Sequence, residues 1–287
     1  MKKYFSLIVF AHTVFALPFA VIGFLLGTQH IGAVPQIETF AYIILCMIFA
    51  RSAAMAFNRY LDRHIDALNP RTSMREIPAG EISANNALFF VIVNAAAFVF
   101  CTFLINRMCF FLSPIALLVI LGYSYTKRFT FLCHFILGLG LSLAPIGAYI
   151  AVTGEFGFLP LVYSGLVLLW VSGFDIIYAL QDDSFDATNG LYSVPSSFGR
   201  ARAVDISNGL HVLCGLIMIG ITVYLFKSDL PLKYIQIVGA IIFISMLIYQ
   251  HSIISVNNLS RVNRAFFTTN GIASVVYGCF FVIDYFI

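Results

Sequence analysis

Long apolar runs, separated by shorter polar segments, follow one another along the whole chain. Each run has about 20 residues, the length that an α-helix needs to cross the hydrocarbon core of a bilayer. Transmembrane β-strands have a different signature, shorter segments in which apolar and polar residues alternate. The pattern therefore predicts nine helical spans, at approximately 5–27, 38–57, 86–105, 108–125, 131–152, 157–178, 204–226, 233–254 and 265–286.

The amino-acid composition is typical of a chain embedded in a membrane. Hydrophobic residues make up 61% of the 287 residues and charged residues only 10%, whereas soluble domains carry about 25% charged residues. We therefore expect an all-α integral membrane protein, a bundle of about nine helices forming one transmembrane domain over residues 1–287. The first run follows Lys2 and Lys3, exceeds the length of a secretory h-region and lacks a cleavage site, which predicts a retained span.

The basic residues show how the chain is oriented. With the amino terminus in the cytoplasm, twelve of them fall on the cytoplasmic side: Lys2, Lys3, Arg59, Arg63, Arg71, Arg75, Lys127, Arg128, Arg200, Arg202, Arg261 and Arg264. The opposite side collects Arg107, Lys227 and Lys233. Basic loops stay in the cytoplasm, so we predict a bacterial inner-membrane protein with its carboxyl terminus on the opposite side.

The six cysteines lie in or at the ends of apolar runs and form no C-x-x-C pair. We expect them to act as small buried hydrophobic residues rather than as metal or redox groups. The net charge of +3 indicates no partner. A nucleic-acid partner is not expected, and the oligomeric state stays open.

Two polar segments, four spans apart, share one spacing. The first reads Asn58-x3-Asp62-x3-Asp66-x2-Asn69, and the second reads Tyr178-x3-Asp182-x3-Asp186-x2-Asn189. A repeat of this kind predicts two pseudo-repeated four-helix units whose equivalent ends converge on one site.

Each segment forms a polar stripe if it is helical. At about 100° per residue, Asn58, Asp62 and Asp66 fall within about 80° of one another. The second stripe is predicted to continue the helix of the sixth span, and its members fall within a similar arc: Asp175, Tyr178, Asp182 and Asp186. His64 points about 160° away from the aspartates, so it is not expected in the site.

Charges inside the spans also indicate function. Arg51 lies on the first stripe, roughly 10 Å deeper in the membrane, and Asp175 lies inside the sixth span. A charge at this depth is expensive and must face a protein interior or a cavity. We therefore expect both side chains to line a functional site.

The stripes require a cation. Both lie at the carboxyl ends of their helices, where the helix dipole disfavours carboxylates, and carboxylates four residues apart repel each other. Ligands that are all oxygen atoms favour Mg²⁺, which completes its shell with water and phosphate. Four nearby cations can bind the remaining anion oxygens: Arg71, Arg75, Lys127 and Arg128. These features predict a magnesium–diphosphate site at the membrane surface.

A secondary transporter of an anionic substrate is the alternative from another class, because transporters also combine repeats with intramembrane charges. Transporter sites lie near the middle of the membrane, in broken helices. Here the carboxylates collect at one rim, which favours an enzyme.

Three segments together resemble the UbiA-type membrane prenyltransferases. ARSAAMAFNRYLDRHIDALNPRTSMREIPAG, residues 50–80, is similar to the first aspartate signature of that family. GYSYTKRFT, residues 122–130, is similar to its Y-x-x-x-K element, and DIIYALQDDSFDATNGLYSVPSSFG, residues 175–199, to its second aspartate signature. The narrower similarity, carried by REIPAG and DIIYALQD, is to 4-hydroxybenzoate polyprenyltransferases.

The resemblance implies transfer of a polyprenyl group from polyprenyl diphosphate to an aromatic acid, 4-hydroxybenzoate, in ubiquinone-type quinone biosynthesis. A hydroxynaphthoate of the menaquinone route is the nearest alternative acceptor. The implied Mg²⁺ ligands are Asn58, Asp62, Asp66, Asp182 and Asp186. The implied diphosphate contacts are Arg71, Arg75 and Lys127. Lys127 and the four aspartates of the ligand set would assist departure of the diphosphate.

The same resemblance assigns the acceptor side of the site. Arg51 matches a position that meets the carboxylate of the aromatic acid, and Asp175 supports the second aspartate signature. Independently of the resemblance, Tyr123, Tyr178 and Tyr192 lie near the motifs and could orient substrate, while the alternative for each is a tyrosine of the membrane interface. Asp183 has no counterpart with a role in the family.

Overall fold

The computed structural model describes residues 13–256 and 258–287, and within them the chain forms helices and no β-strand. We number the helices α1 to α11, with bounds Thr13–His30, Ile37–Leu68, Ala84–Ile105, Arg107–Thr126, Cys133–Thr153, Phe158–Ala179, Asp183–Thr188, Val194–Phe198, Arg200–Lys227, Ile235–Ser252 and Asn270–Phe286. A short π-helical segment, Arg264–Thr269, leads directly into α11.

Eight helical segments of the described chain are long and apolar enough to cross a membrane, and α1 is a shorter apolar helix. They correspond to the nine predicted spans, so the prediction of an all-α integral membrane protein is confirmed. Residues 5–12 of the first predicted span lie outside the described residues. The helix that follows continues to His30, three residues beyond the predicted end.

The first polar segment belongs to a helix rather than to a loop. Helix α2 has 32 residues and ends at Leu68, whereas the predicted span ends at residue 57. No glycine or proline interrupts the helix, and Pro70 follows its cap residue Asn69, which has extended backbone angles of φ −90° and ψ 118°. A residue before proline avoids the helical region, so the helix ends there and Asp62 and Asp66 lie on its last turns.

The second polar segment is different, and the prediction of one continuous stripe over residues 175–186 is wrong. Helix α6 ends at Ala179, and α7 begins only at Asp183. The amide groups of residues 180–182 bond to carbonyls three residues earlier, which tightens the turn. The carboxylate of Asp183 accepts a bond from the amide of Ser184 at 2.7 Å. Such local bonds compete with a continuous helix, so Asp182 and Asp186 leave the face that carries Asp175.

The long helices form two groups of four, α2–α5 and α6 with α9–α11, and α1 packs against both groups through α5 and α11. A Cβ atom on Gly23 would collide with the carbonyl oxygen of Pro145, so glycine lets α1 approach α5. Buried aromatic residues such as Phe19 and Trp170 fill the second group, where the hydroxyls of Tyr163 and Tyr277 bond at 2.6 Å. The aromatic core therefore lies between α1 and the second group.

All six cysteines have free thiols. Cys101 and Cys214 are buried as expected, but Cys279 is exposed on the outer surface of α11. The expectation of burial is wrong for Cys279, because an apolar run in a membrane helix includes the face that points outward to lipid.

Candidate active site

The connections 69–83, 127–132 and 180–199 meet at one end of the bundle, which we call the polar end. The side-chain amide of Asn69 donates to Asp182 at 3.1 Å, across 113 residues of sequence. The backbone amide of Tyr192 donates to the carbonyl of Lys127 at 2.7 Å. The two acidic segments thus lie against each other, and the segment that follows α4 contacts both of them.

Asp62 is the most enclosed carboxylate of the polar end, with 1% of its surface exposed. Lys127 Nζ lies 2.5 Å from its Oδ2, and Arg128 Nη2 lies 3.0 Å from its Oδ1. The side-chain amide of Asn58 donates to Oδ2 at 3.3 Å. Arg128 also bonds to the carbonyls of Leu61 and Ser124. It therefore fastens α4 to α2, while Lys127 supplies a cation to the site.

Asp66 has one engaged and one unengaged oxygen. Arg75 Nη1 lies 2.7 Å from Oδ1. Oδ2 is buried and has no hydrogen-bond partner in the described chain. A buried carboxylate oxygen without a partner is costly, which makes this oxygen suited to a bound cation.

Asp182 of the second segment is paired with Arg71 of the first connection. Arg71 Nε donates to Oδ1 at 2.8 Å, and Nη2 makes a second, shorter bond to Oδ2. Arg71 Nη1 also bonds to the hydroxyl of Tyr178 at 3.3 Å, and the guanidinium lies over the Tyr178 ring at 5.6 Å. The Tyr178 ring packs on Phe266 of the π-helical segment, with centroids 4.2 Å apart. Aromatic packing thus positions the Arg71–Asp182 pair.

Asp186 and Asp183 lie on α7, and their pKa values shift in opposite directions. Burial and the neighbouring Asp182 raise the pKa of Asp186 to about 6. The guanidinium of Arg200, at 2.5 and 2.8 Å, holds the pKa of Asp183 below its ordinary value. Asp183 therefore belongs to an ion pair beside the site, whereas Asp186 lies next to Asp182 inside it.

Asp175 has a histidine partner that the sequence did not reveal. His134 Nδ1 lies 2.7 Å from Asp175 Oδ2, and Nε2 accepts a bond from the backbone amide of Val194 at 3.2 Å. Because Nε2 accepts, the imidazole proton resides on Nδ1 and is donated to Asp175. The signal that could have found His134 is the requirement of an intramembrane carboxylate for a partner.

An apolar cavity of about 300 Å³ opens below the polar end, between helices α2, α3, α4 and α5. Arg51 and Tyr123 line the part of the cavity nearest Asp62, and Ile105 and Cys109 line the part towards the opposite end of the bundle. Arg51 Nε is buried and has no hydrogen-bond partner among the described residues. The expectation that Arg51 faces a cavity thus agrees with its position.

The described residues contain no group of three or more His, Cys, Asp or Glu side chains that converge on one point. Instead, Arg71, Arg75 and Lys127 pair with Asp182, Asp66 and Asp62. The donor set is nevertheless oxygen-rich and includes the unengaged Oδ2 of Asp66. Mg²⁺ takes only a few protein ligands and fills its shell with water and phosphate, so these residues fit that ion. His64 is exposed, as predicted.

The charged end and the apolar cavity below it belong to a bundle of helices long and apolar enough to cross a membrane, and the chain is an integral membrane protein. The sequence comparison gives the family: residues 16–272 match the UbiA prenyltransferase family. The chain belongs to that family and is a membrane-embedded prenyltransferase.

Two similar proteins also carry the name of a prenyltransferase. The 4-hydroxybenzoate octaprenyltransferase of Aliivibrio fischeri strain MJ11 is 29% identical over 248 residues, 85% of this chain and 83% of that protein. The enzyme of the same name from Nitrosospira multiformis is 29% identical over 257 residues, 88% of this chain and 84% of that protein.

Solved structures share the fold. The apo structure of a UbiA homolog from Aeropyrum pernix K1 has a TM-score of 0.83 and 29% identity, and covers 95% of this chain and 98% of that chain. A UbiA homolog from Archaeoglobus fulgidus, bound to DMAPP and Mg²⁺, has a TM-score of 0.75 and 20% identity over 99% of both chains.

Proposed function

We propose that the protein transfers a polyprenyl group from polyprenyl diphosphate to a ring carbon of 4-hydroxybenzoate, in ubiquinone-type quinone biosynthesis. The observation that carries this proposal is the position of paired aspartates and cations directly above the apolar cavity, with Arg51 between them. The curated relatives named above are called 4-hydroxybenzoate octaprenyltransferases. Carboxylates at one rim, rather than near the middle of the membrane, argue against the transporter alternative.

The polar end would bind the diphosphate. Asn58, Asp62 and Asp66 from one segment, with Asp182 and Asp186 from the other, would hold Mg²⁺, which neutralises the diphosphate and makes it a better leaving group when bound. The Archaeoglobus fulgidus homolog that shares this fold was solved with DMAPP and Mg²⁺.

The cations of the polar end would bind the phosphate oxygens of the leaving diphosphate. Lys127, Arg71 and Arg75 are paired with the aspartates, and with Mg²⁺ held by those carboxylates their donors would be available to the phosphate oxygens. Fixed cations stabilise negative charge as the allylic carbon–oxygen bond breaks. Tyr178, bonded to Arg71, would keep that guanidinium in place.

The cavity would hold the prenyl chain and keep water from the allylic cation. Its lining along α4 extends from Tyr123 to Cys109, which corresponds to about 21 Å of helix. Nearly all of its lining residues are apolar, apart from Arg51, Tyr123 and a few hydroxyl side chains. A dry site prevents capture of a reactive cation by solvent.

Arg51 would hold the acceptor. Its buried, unpartnered Nε lies where the carboxylate of an aromatic acid can enter beside the head of the prenyl chain. Tyr123, which lines the same part of the cavity, would orient the ring, and Asp175, fixed by His134, would support the second aspartate segment. We place this site on the cytoplasmic side of a bacterial inner membrane, because the basic residues collect at the polar end.

The test is prenyl transfer by the protein reconstituted in lipid vesicles. With a polyprenyl diphosphate, Mg²⁺ and 4-hydroxybenzoate, the protein should release diphosphate and form the prenylated acid. EDTA, Asp62→Asn and Asp182→Asn should each abolish product, whereas Asp183→Asn, outside the site, should not. Activity that survives all three treatments would refute the metal–diphosphate site. A hydroxynaphthoate tested in parallel decides the acceptor, since faster turnover of the naphthoate would replace 4-hydroxybenzoate in the proposal.

A further inference from the structure

Arg59, the residue after Asn58, is a buried cation that the functional assignments above do not use. The sequence places it with the basic residues of the cytoplasmic side. In the structure it lies within α2 and only 8% of its surface is exposed. On a helix it points about 20° from Asp66, so it borders the polar stripe instead of facing solvent.

The guanidinium of Arg59 has little to bind within the described chain. Nε and Nη1 are both buried and have no hydrogen-bond partner there. Glu76 Oε2 lies 4.0 Å from Nη1, which is an ion-pair distance but too long for a hydrogen bond. Buried charged donors without acceptors are strongly unfavourable, and they are retained where a ligand supplies the acceptor.

The residues around Arg59 indicate which kind of ligand its guanidinium would bind. It interacts electrostatically with Asp66, Arg75 and Tyr123, and Tyr123 lines the head of the cavity. Asp66 does not satisfy the guanidinium, because its Oδ1 bonds to Arg75 and its Oδ2 has no hydrogen-bond partner. An unpartnered donor and an unpartnered acceptor thus lie near each other without bonding. A substrate oxyanion held beside a cation would satisfy both, because Asp66 Oδ2 would help to hold the cation and the Arg59 guanidinium would donate to the oxyanion.

We propose that Arg59 binds a substrate oxyanion at the head of the cavity, and that Glu76 is its counter-ion when no substrate is present. The oxyanion is either a phosphate oxygen of the prenyl donor or the carboxylate of the aromatic acceptor. This inference rests on the proposed function. It adds a substrate-binding residue on the Asp66 side of the site.

The competing explanation is structural: the Arg59–Glu76 pair would only fasten the connection 69–83 to α2. The two explanations predict different effects of Glu76→Gln on KM. If the pair is structural, Arg59→Gln and Glu76→Gln break the same contact and should act alike. If Arg59 binds substrate, Glu76→Gln removes a competitor for the guanidinium, so it should keep or lower KM while Arg59→Gln raises it.

The experiment uses the full chain in lipid vesicles with Arg59→Gln, Arg59→Lys and Glu76→Gln. KM is measured for the donor at saturating acceptor and for the acceptor at saturating donor. We expect Arg59→Gln to raise one of the two KM values roughly ten- to hundredfold, and Arg59→Lys to restore part of the loss. A change in the donor KM identifies the phosphate, and a change in the acceptor KM identifies the carboxylate.

A binding measurement separates this inference from the proposed function. Inorganic pyrophosphate with Mg²⁺ should raise the thermal stability of the unmodified protein more than that of Arg59→Gln if the oxyanion is phosphate. This holds even if no aromatic acid is prenylated, an outcome that would refute only the proposed function. Two unchanged KM values, with equal losses of Tm in Arg59→Gln and Glu76→Gln, would overturn the role of Arg59 in substrate binding.

Discussion

Arg71 and Asp182, which are 111 residues apart in sequence, form a two-bond ion pair that joins the first polar connection to the second. The parallel geometry uses the planar fork of the guanidinium, and an ammonium group cannot reproduce it. The pair therefore fixes the orientation of the Arg71 guanidinium at the polar end, in addition to placing its charge there.

Replacing Arg71 tests that geometry. Arg71→Lys keeps the charge and loses the fork, so we expect KM for the prenyl diphosphate to rise about tenfold, with a larger rise for Arg71→Gln. Steady-state kinetics at saturating acceptor measure the effect. Equal KM values for the lysine variant and the unmodified protein would show that charge alone matters.

Lys127 should matter for the chemical step. It touches Asp62 and is proposed to follow the leaving diphosphate, so Lys127→Met should lower kcat by roughly 10²- to 10³-fold. Arg63→Gln is the matched control, because Arg63 bonds to the carbonyl of Tyr60 at 2.7 Å and lies outside the site. Loss of activity in both variants would indicate a general effect of surface charge.

The cavity should limit the prenyl chain. Ala116 lines it, whereas Leu118 on the same helix is 74% exposed on the outside. Ala116→Phe should lower turnover of long-chain donors at least about tenfold through overpacking, and Leu118→Phe should not. Turnover measured with donors of several chain lengths checks this. Equal turnover of long-chain donors by the two variants would show that the prenyl group does not occupy this cavity.

Gly23 should be required for the packing of α1. A Cβ atom there collides with the backbone of Pro145, whereas a Cβ atom on Gly220 meets nothing within 4 Å. Gly23→Ala should reduce stability by about 1–3 kcal/mol. Gly220→Ala should be neutral or stabilise by up to about 1 kcal/mol through helix propensity. Thermal unfolding in detergent compares them, and equal Tm values would contradict close packing of α1 on α5.

The Asp183–Arg200 pair should give a pH-dependent contribution to stability. Because Arg200 holds the pKa of Asp183 below 3.8, the contribution is present above that pH and is lost as pH falls through the lowered pKa. Arg200→Gln should lose less than about 1 kcal/mol at neutral pH, as is typical of partly exposed pairs. The difference in Tm from the unmodified protein should be constant down to about pH 5 and shrink below about pH 4.

The exposed Arg202 provides the control for this pair. Arg202→Gln should leave Tm unchanged across the same pH range. A Tm difference for Arg200→Gln that persists in acid would show that Arg200 stabilises the protein without Asp183.

Much of the fold could be predicted because apolar length and lipid thickness are directly linked. Helix ends could not be predicted as well. The second helix continues to Leu68 because only Pro70 stops it, and the sixth ends at Ala179, where the amides of residues 180–182 tighten the chain into a turn. Hydropathy records neither effect, since polar residues can extend a helix beyond the membrane as readily as they end it.

Sequence alone determined that the chain crosses the membrane many times and that two aspartate segments of equal spacing belong to one end. Tertiary structure decided which cation meets which aspartate: Lys127 with Asp62, Arg75 with Asp66 and Arg71 with Asp182. It also buried Arg59, which the sequence grouped with the cytoplasmic basic residues, and His134, which no sequence pattern singled out. The physical reason is that spacing fixes the face of a helix, whereas partners and burial depend on the neighbouring helices that cover that face.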